Sequence, residues 1–315
     1  MATGRDDLLW DITCPARPLR VPGVTMAGFR DRGLTPPGLR LVPHPAVALL
    51  LVFDGGVTVR DTIGRRRSGS FVTGFGYGDR LDVLRADAFE CLQVRLTPMV
   101  AYAVLGGAVA DLDGTAVTLD DLWGRESARI CERLGDLPSW ADRFAWVDAW
   151  LAHRCARASE AAPEVAWAWR RITDSRGTAR VEQVAAELGW SRRQLWARFR
   201  AQVGTPPKRA ARLVRFDHAV HALVAGRAPA GVAAEGGYAD QSHLHRDVAA
   251  FSAMTPATVV DEPFLAVDDT AWGRPGPAPK QRAGAGGPAH PPARVGCGRR
   301  GAAGAVRSSG LSPGR

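Results

Sequence analysis

VEQVAAELGWSRRQLWARFRAQVGTPP, residues 181–207, and AGVAAEGGYADQSHLHRDVAAFSAMTP, residues 230–256, are two versions of one pattern. VAAE at 184–187 aligns with VAAE at 232–235, Gly189 with Gly237, Trp190 with Tyr238, Leu195 with Leu244, Phe199 with Val248 and Pro207 with Pro256. Each unit reads as a short helix, a glycine-containing turn, a second helix and a proline stop. Helical spacing turns Val181, Val184, Ala185 and Leu188 inward, joined by Leu195, Phe199 and Val203 from the second helix. Ser191 and Asp240 stand where each second helix needs an N-cap.

A helix, a tight turn and a second helix make the arrangement whose second helix enters the major groove of DNA. With the inward residues assigned, the outward face of the first unit is Arg193, Trp196 and Ala197, with Arg192 at its start; that of the second is Gln241, Ser242, His245 and Arg246. These types suit base edges: Arg pairs with guanine, Gln with adenine, and Ser or His make shorter hydrogen bonds. His243 and His245, two apart, face different sides of the helix and make a poor pair of metal ligands. Between the units, PKRAARLVRFDHAVHALVAG (207–226) predicts a connector helix. At about 1.5 Å per residue it sets two reading helices near one DNA turn apart. On it, Arg215 is expected to serve structure, with Arg209 and Arg212 open between phosphate contact and solvated charge.

Charge agrees with a polyanionic partner. Residues 163–260 hold 14 Lys+Arg against 8 Asp+Glu, and residues 267–315 hold 8 against 2, while the whole chain is +9, so everything else is slightly acidic.

The tandem units, LVRFDHA (213–219), GYADQSHL (237–244) and MTP (254–256) together resemble the DNA-binding domain of AraC/XylS-type transcriptional regulators over residues 163–262. FECLQVRLTPMVAYAVLG (89–106), VTLDDLWG (117–124) and WADRFAWVDAWL (140–151) look like the effector or dimerisation domain that precedes this module in some members. The resemblance implies a sequence-specific DNA-binding regulator with no catalytic role, cofactor or metal. Its implied partners are double-stranded DNA, a second copy of the chain, RNA polymerase and a small-molecule effector. Departures are Trp196 and Ala197 where smaller or long polar residues are usual, Val248 for an aromatic, Ala253 for a helix-ending glycine, and Gly236 for an apolar residue.

The expected fold is α+β: a small cupin-like β-sheet or barrel with following helices (1–160), an all-α domain of two helix-turn-helix units (163–262), and a disordered basic tail (267–315). The β-prone runs VALLLVF, VTVR, SFVTGF and FECLQVRL lie between residues 42 and 96, separated by turn-formers such as DGG. Two helices follow, with Asp120 and Ser139 near their starts as expected caps. The longest apolar stretch, AVALLLVF at 46–53, is too short to span a bilayer, and no signal-peptide pattern opens the chain, so a cytoplasmic location without membrane contact is expected.

Other functions are weaker. A metal enzyme in the N-terminal half needs clustered ligands, and that half offers His44 and His153. An alkyl-transfer repair protein needs a Cys-rich zinc module and a Pro-Cys-His site, both missing. A thiol sensor would use Cys91, Cys131 and Cys155, but five scattered cysteines without a CxxC pair read as buried bystanders. The aromatic GSFVTGFGYGD (69–79) and Trp123, Trp140, Trp146 and Trp150 suit a ligand pocket less well than core or dimer contact.

Overall fold

A computed structural model describes residues 9–61, 64–76, 81–112 and 115–272. The N-terminal half is one antiparallel sheet of β1 (Trp10–Thr13), β2 (Val24–Asp31), β3 (Arg40–Leu41), β4 (Val47–Asp61), β5 (Arg66–Ser68), β6 (Phe71–Thr73), β7 (Leu81–Leu96) and β8 (Ala116–Thr118). The pairing order is β1-β2-β7-β4-β6-β8, with β3 also on β7 and β5 on β4. The run AVALLLVF is continuous in sequence because β4 is covered on both faces: Val47, Leu49 and Leu51 enter one core, while Leu50 and Val52 face another. The first face is packed by α1 (Pro98–Leu105), α3 (Arg125–Asp136) and α4 (Trp140–Ala156). The second closes around Trp10, Phe29, Phe71 and Phe89.

Local expectations are revised at three places. DGG at 54–56 is not a turn between strands but a bulged stretch of one long β4, with register shifts at Val52/Asp54 and Asp54/Gly56. Gly55 has φ +64 there, and a Cβ on it would collide with the backbone of Asp87. The helix expected from VTLDDLWG onward is broken at Gly124, φ +55, into α2 (Leu119–Trp123) and α3, and the cap of α2 is Thr118, not Asp120. Ser139 does cap α4, accepting from the Asp142 amide at 3.2 Å. The third revision concerns the expected tail. After α11 (Pro256–Val259) and α12 (Pro263–Ala266), the chain makes α13 (Asp268–Trp272) and packs back on the sheet. Val267 and Ala271 are buried there, and Phe264 stacks on Trp10 at 4.8 Å. Apolar side chains spaced through FLAVDDTAW find a partner only in the folded sheet, so local composition did not reveal them. The remainder of the tail lies outside the described residues.

The C-terminal half packs α5 (Pro163–Asp174), α6 (Val181–Glu187), α7 (Arg192–Val203), α8 (Pro207–Val224), α9 (Pro229–Glu235) and α10 (Gln241–Ser252) around one core. Val42 and Phe75 of the N-terminal half belong to the same cluster, and Phe75 meets Trp169 edge to face at 5.2 Å.

Candidate nucleic-acid interface

Both expected units are present: α6 with α7, and α9 with α10, joined by the connector α8. Each turn needs a left-handed residue, supplied by Gly189 (φ +65) and Gly237 (φ +71). Ser191 and Gln194 form a reciprocal capping box at the start of α7, at 3.2 and 2.9 Å. Asp240 accepts from the His243 amide at 2.6 Å and starts α10. Leu195, Phe199 and Val203 are buried in one second helix; Leu244, Val248 and Phe251 are buried in the other.

The opposite faces are open. Arg192, Arg193, Trp196 and Ala197 are exposed on α7, as are Gln241, Ser242, His245 and Arg246 on α10. Trp196, a large apolar side chain left 48% exposed, has the Arg200 guanidinium 5.7 Å from its ring. Arg192 sits 3.9 Å from Glu182, and Arg246 donates to the Ser242 carbonyl at 3.3 Å.

Sequence reasoning missed Asp247. Its side chain is buried on the inward face of α10 and accepts from Arg212 at 2.8 Å and Arg215 at 2.9 Å, both on α8. Arg215 therefore has the structural role expected of it, but Arg212 does too. Arg209 lies over the Phe251 ring at 5.6 Å. The overlooked signal was a carboxylate in an apolar series, Leu244, Asp247, Val248 and Phe251, facing a helix with Arg at i and i+3. A charge so placed must be paired.

The connector's other side meets the N-terminal half through a second set of charges. His44 Nδ1 lies 3.5 Å from Asp217, while Arg95 donates to Asp268 at 2.9 Å and to His44 Nε2 at 2.7 Å. His221 Nε2 is 3.1 Å from Asp268, with Nδ1 on its own helix at the Asp217 carbonyl, 2.7 Å. Burial opposes a charge on His221, but the hydrogen bond to Asp268 and the charges of Asp217 and Asp268 push the imidazole up to about 9. The half-buried Asp217 and the buried Asp268 are held below the usual carboxylate range, against the cost of burial, by these histidines and, for Asp268, Arg95. His44 thus joins the halves, and His153 is exposed on α4. Among the described residues no group of three or more His, Cys, Asp or Glu is arranged to hold a metal ion.

Burial pushes up the thiols of Cys14, Cys91, Cys131 and Cys155, the reverse of what a reactive sensor thiol needs. Phe71 and Thr73 of the aromatic stretch line an apolar cavity of about 70 Å³ with Trp10, Phe29 and Phe89. Trp146 stacks on Trp150, and Trp123 meets Trp150 edge to face, all half-buried on α2 and α4.

Residues 184–261 match the family model described as a helix-turn-helix domain. This segment is an AraC-type helix-turn-helix domain. With it, the chain is a DNA-binding transcriptional regulator. No curated protein matches the chain significantly. Among solved structures, ToxT from Vibrio cholerae aligns at 9% identity over 77% of this chain and 98% of its own, with TM-score 0.44. The AraC-like transcriptional activator CuxR aligns at 15% identity over 65% and 84%, with TM-score 0.28. Similarity at this level adds nothing to what the helix-turn-helix domain itself establishes. No helix among the described residues is long and apolar enough to cross a membrane.

Proposed function

We propose that the protein is a cytoplasmic, sequence-specific regulator whose α7 and α10 read two adjacent major-groove segments on one face of a duplex. The observation that carries this is the paired arrangement: two capped second helices bury one side and expose the other, on a connector of 18 residues. That connector is about 27 Å long, close to the roughly 34 Å between successive major grooves on one face. Arg193 and Arg246 are the guanine readers in this scheme and Gln241 an adenine reader; Ser242 and His245 make shorter contacts. Trp196 and Ala197 offer apolar contact, such as with a thymine methyl, and Arg192 flanks them. Selection from a randomised duplex library, followed by footprinting, tests it. Two protected segments about 10 base pairs apart are expected. Recovery of sequences without preference, or of a single short segment, would contradict it.

A further inference from the structure

A cleft of about 640 Å³ lies between the start of α6 in the first unit and α10 in the second, over the connector α8, and its lining is basic. One wall is the start of α6, with Arg180 and Glu182, and Glu182 reaches Arg192 at the start of α7. The other wall is α10, with His243, Arg246 and Asp247; the floor is α8, with Lys208, Arg212 and Arg215. Five cations thus face two carboxylates, and the carboxylates already have partners: Asp247 holds Arg212 and Arg215, and Glu182 neighbours Arg192.

We propose that this cleft seats the sugar–phosphate backbone of DNA between the two read segments, with Arg180, Lys208 and His243 as its phosphate contacts. The inference rests on the two-segment reading above, because only a duplex spanning both helices carries its backbone across the cleft. Arg180 on one wall and Lys208 on the floor both have exposed side chains. Lys208 stands in the first turn of α8, where no acidic residue and no side-chain cap compete for an anion. The third contact is an oriented imidazole N–H. The Ala239 amide donates to His243 Nδ1 at 3.4 Å, which leaves Nε2 carrying the proton as a donor. Tyr238 meets the His243 ring edge to face at 5.3 Å and restrains its orientation. A guanidinium, an ammonium and an imidazole N–H facing one concavity suit phosphate oxygens, and none is placed on the outward reading faces where it would meet a base edge.

The test uses the full chain and a duplex selected by it from a randomised library, with methylphosphonates replacing the phosphates between the two footprints. Neutralising that stretch is expected to weaken binding of the full chain about tenfold. The double variant Arg180→Ala/Lys208→Ala should already bind all sequences about tenfold more weakly, with unchanged ranking and a shallower salt dependence, and should respond less than the parent to the methylphosphonates, through His243 alone. Arg129→Ala/Arg133→Ala, which removes the same two exposed charges from α3, is the control and should behave as the parent. Equal loss in parent and double variant, or no loss in either, overturns the phosphate seat while leaving the two-segment reading intact. A parent chain that selects no sequence at all would overturn both.

Discussion

Asp247 binds Arg212 with one carboxylate oxygen, at 2.8 Å, and Arg215 with the other, at 2.9 Å. A single buried carboxylate thereby fixes the second reading helix to the connector, and the angle between α10 and α8 depends on it. Asp247→Ala leaves two cations without their counter-charge and should destabilise the chain by about 2–4 kcal/mol, read by chemical denaturation. An unchanged denaturation midpoint would show that the triad is dispensable.

Arg212→Ala follows differently. Taken as a free cation on the connector, Arg212 would touch only phosphate, and its loss would weaken every sequence equally. Paired with Asp247, it should instead loosen α10, so that discrimination falls mainly in the segment read by the second unit. Site selection with the variant separates these outcomes: equal weakening of all sequences would restore the simpler role.

Division of specificity between the units is tested by Arg193→Ala and Arg246→Ala. Each side chain is exposed on its own reading helix. Each substitution should cost about 1–3 kcal/mol at the selected site and relax preference at only one or two base pairs, in different segments. The second unit, despite Val248 and Gly236, has a fully buried apolar face, so Arg246→Ala is expected to matter as much as Arg193→Ala. Library binding at fixed salt decides; if neither variant changes preference, the reading helices are misassigned.

Ala253 ends α10 in the left-handed region at φ +54, where its counterpart Gly204 has φ +88. A Cβ in that region is unfavourable by roughly 1 kcal/mol. Ala253→Gly should therefore raise stability by about 0.5–1 kcal/mol, partly offset by the greater freedom of glycine in the unfolded chain. The Arg40 side chain bonds the Ala253 carbonyl at 2.9 Å and would survive the change. Thermal unfolding measures it, and a lower Tm would refute the strain.

The junction at His221 should make stability depend on pH. Asp217 and Asp268 face the imidazole directly, His44 and Arg95 act through those carboxylates, and His218 lines the same cavity. His221 is raised from its ordinary value to about 9. Its contribution is therefore complete below about pH 6.5 and is lost as pH rises through about 9. Asp217 and Asp268 are lowered, so theirs is present above about pH 4 and lost as pH falls through their depressed values. The whole junction is strongest between these limits. Subtracting the stability profile of His221→Gln from that of the parent isolates the alkaline limb, expected at about 2–3 kcal/mol; parallel profiles would show that His221 carries no linked proton.

The amino-acid sequence by itself determined the two helix-turn-helix units, because everything they need is local: caps at Ser191 and Asp240, glycines at the turns, and apolar side chains three and four apart. It likewise determined which faces of α7 and α10 stay outside, since that follows from which residues go in. What pairs with what across the chain was decided only by the tertiary structure. Asp247 with Arg212 and Arg215, His44 and Arg95 with Asp217 and Asp268, and Phe75 against Trp169 join residues far apart in sequence, and no periodicity links them. The strand order and the docking of α13 on the sheet are of the same kind. Val267 and Ala271 become core residues only because a folded sheet presents Phe29 and its neighbours to them, and burial against a distant surface leaves no mark on local composition.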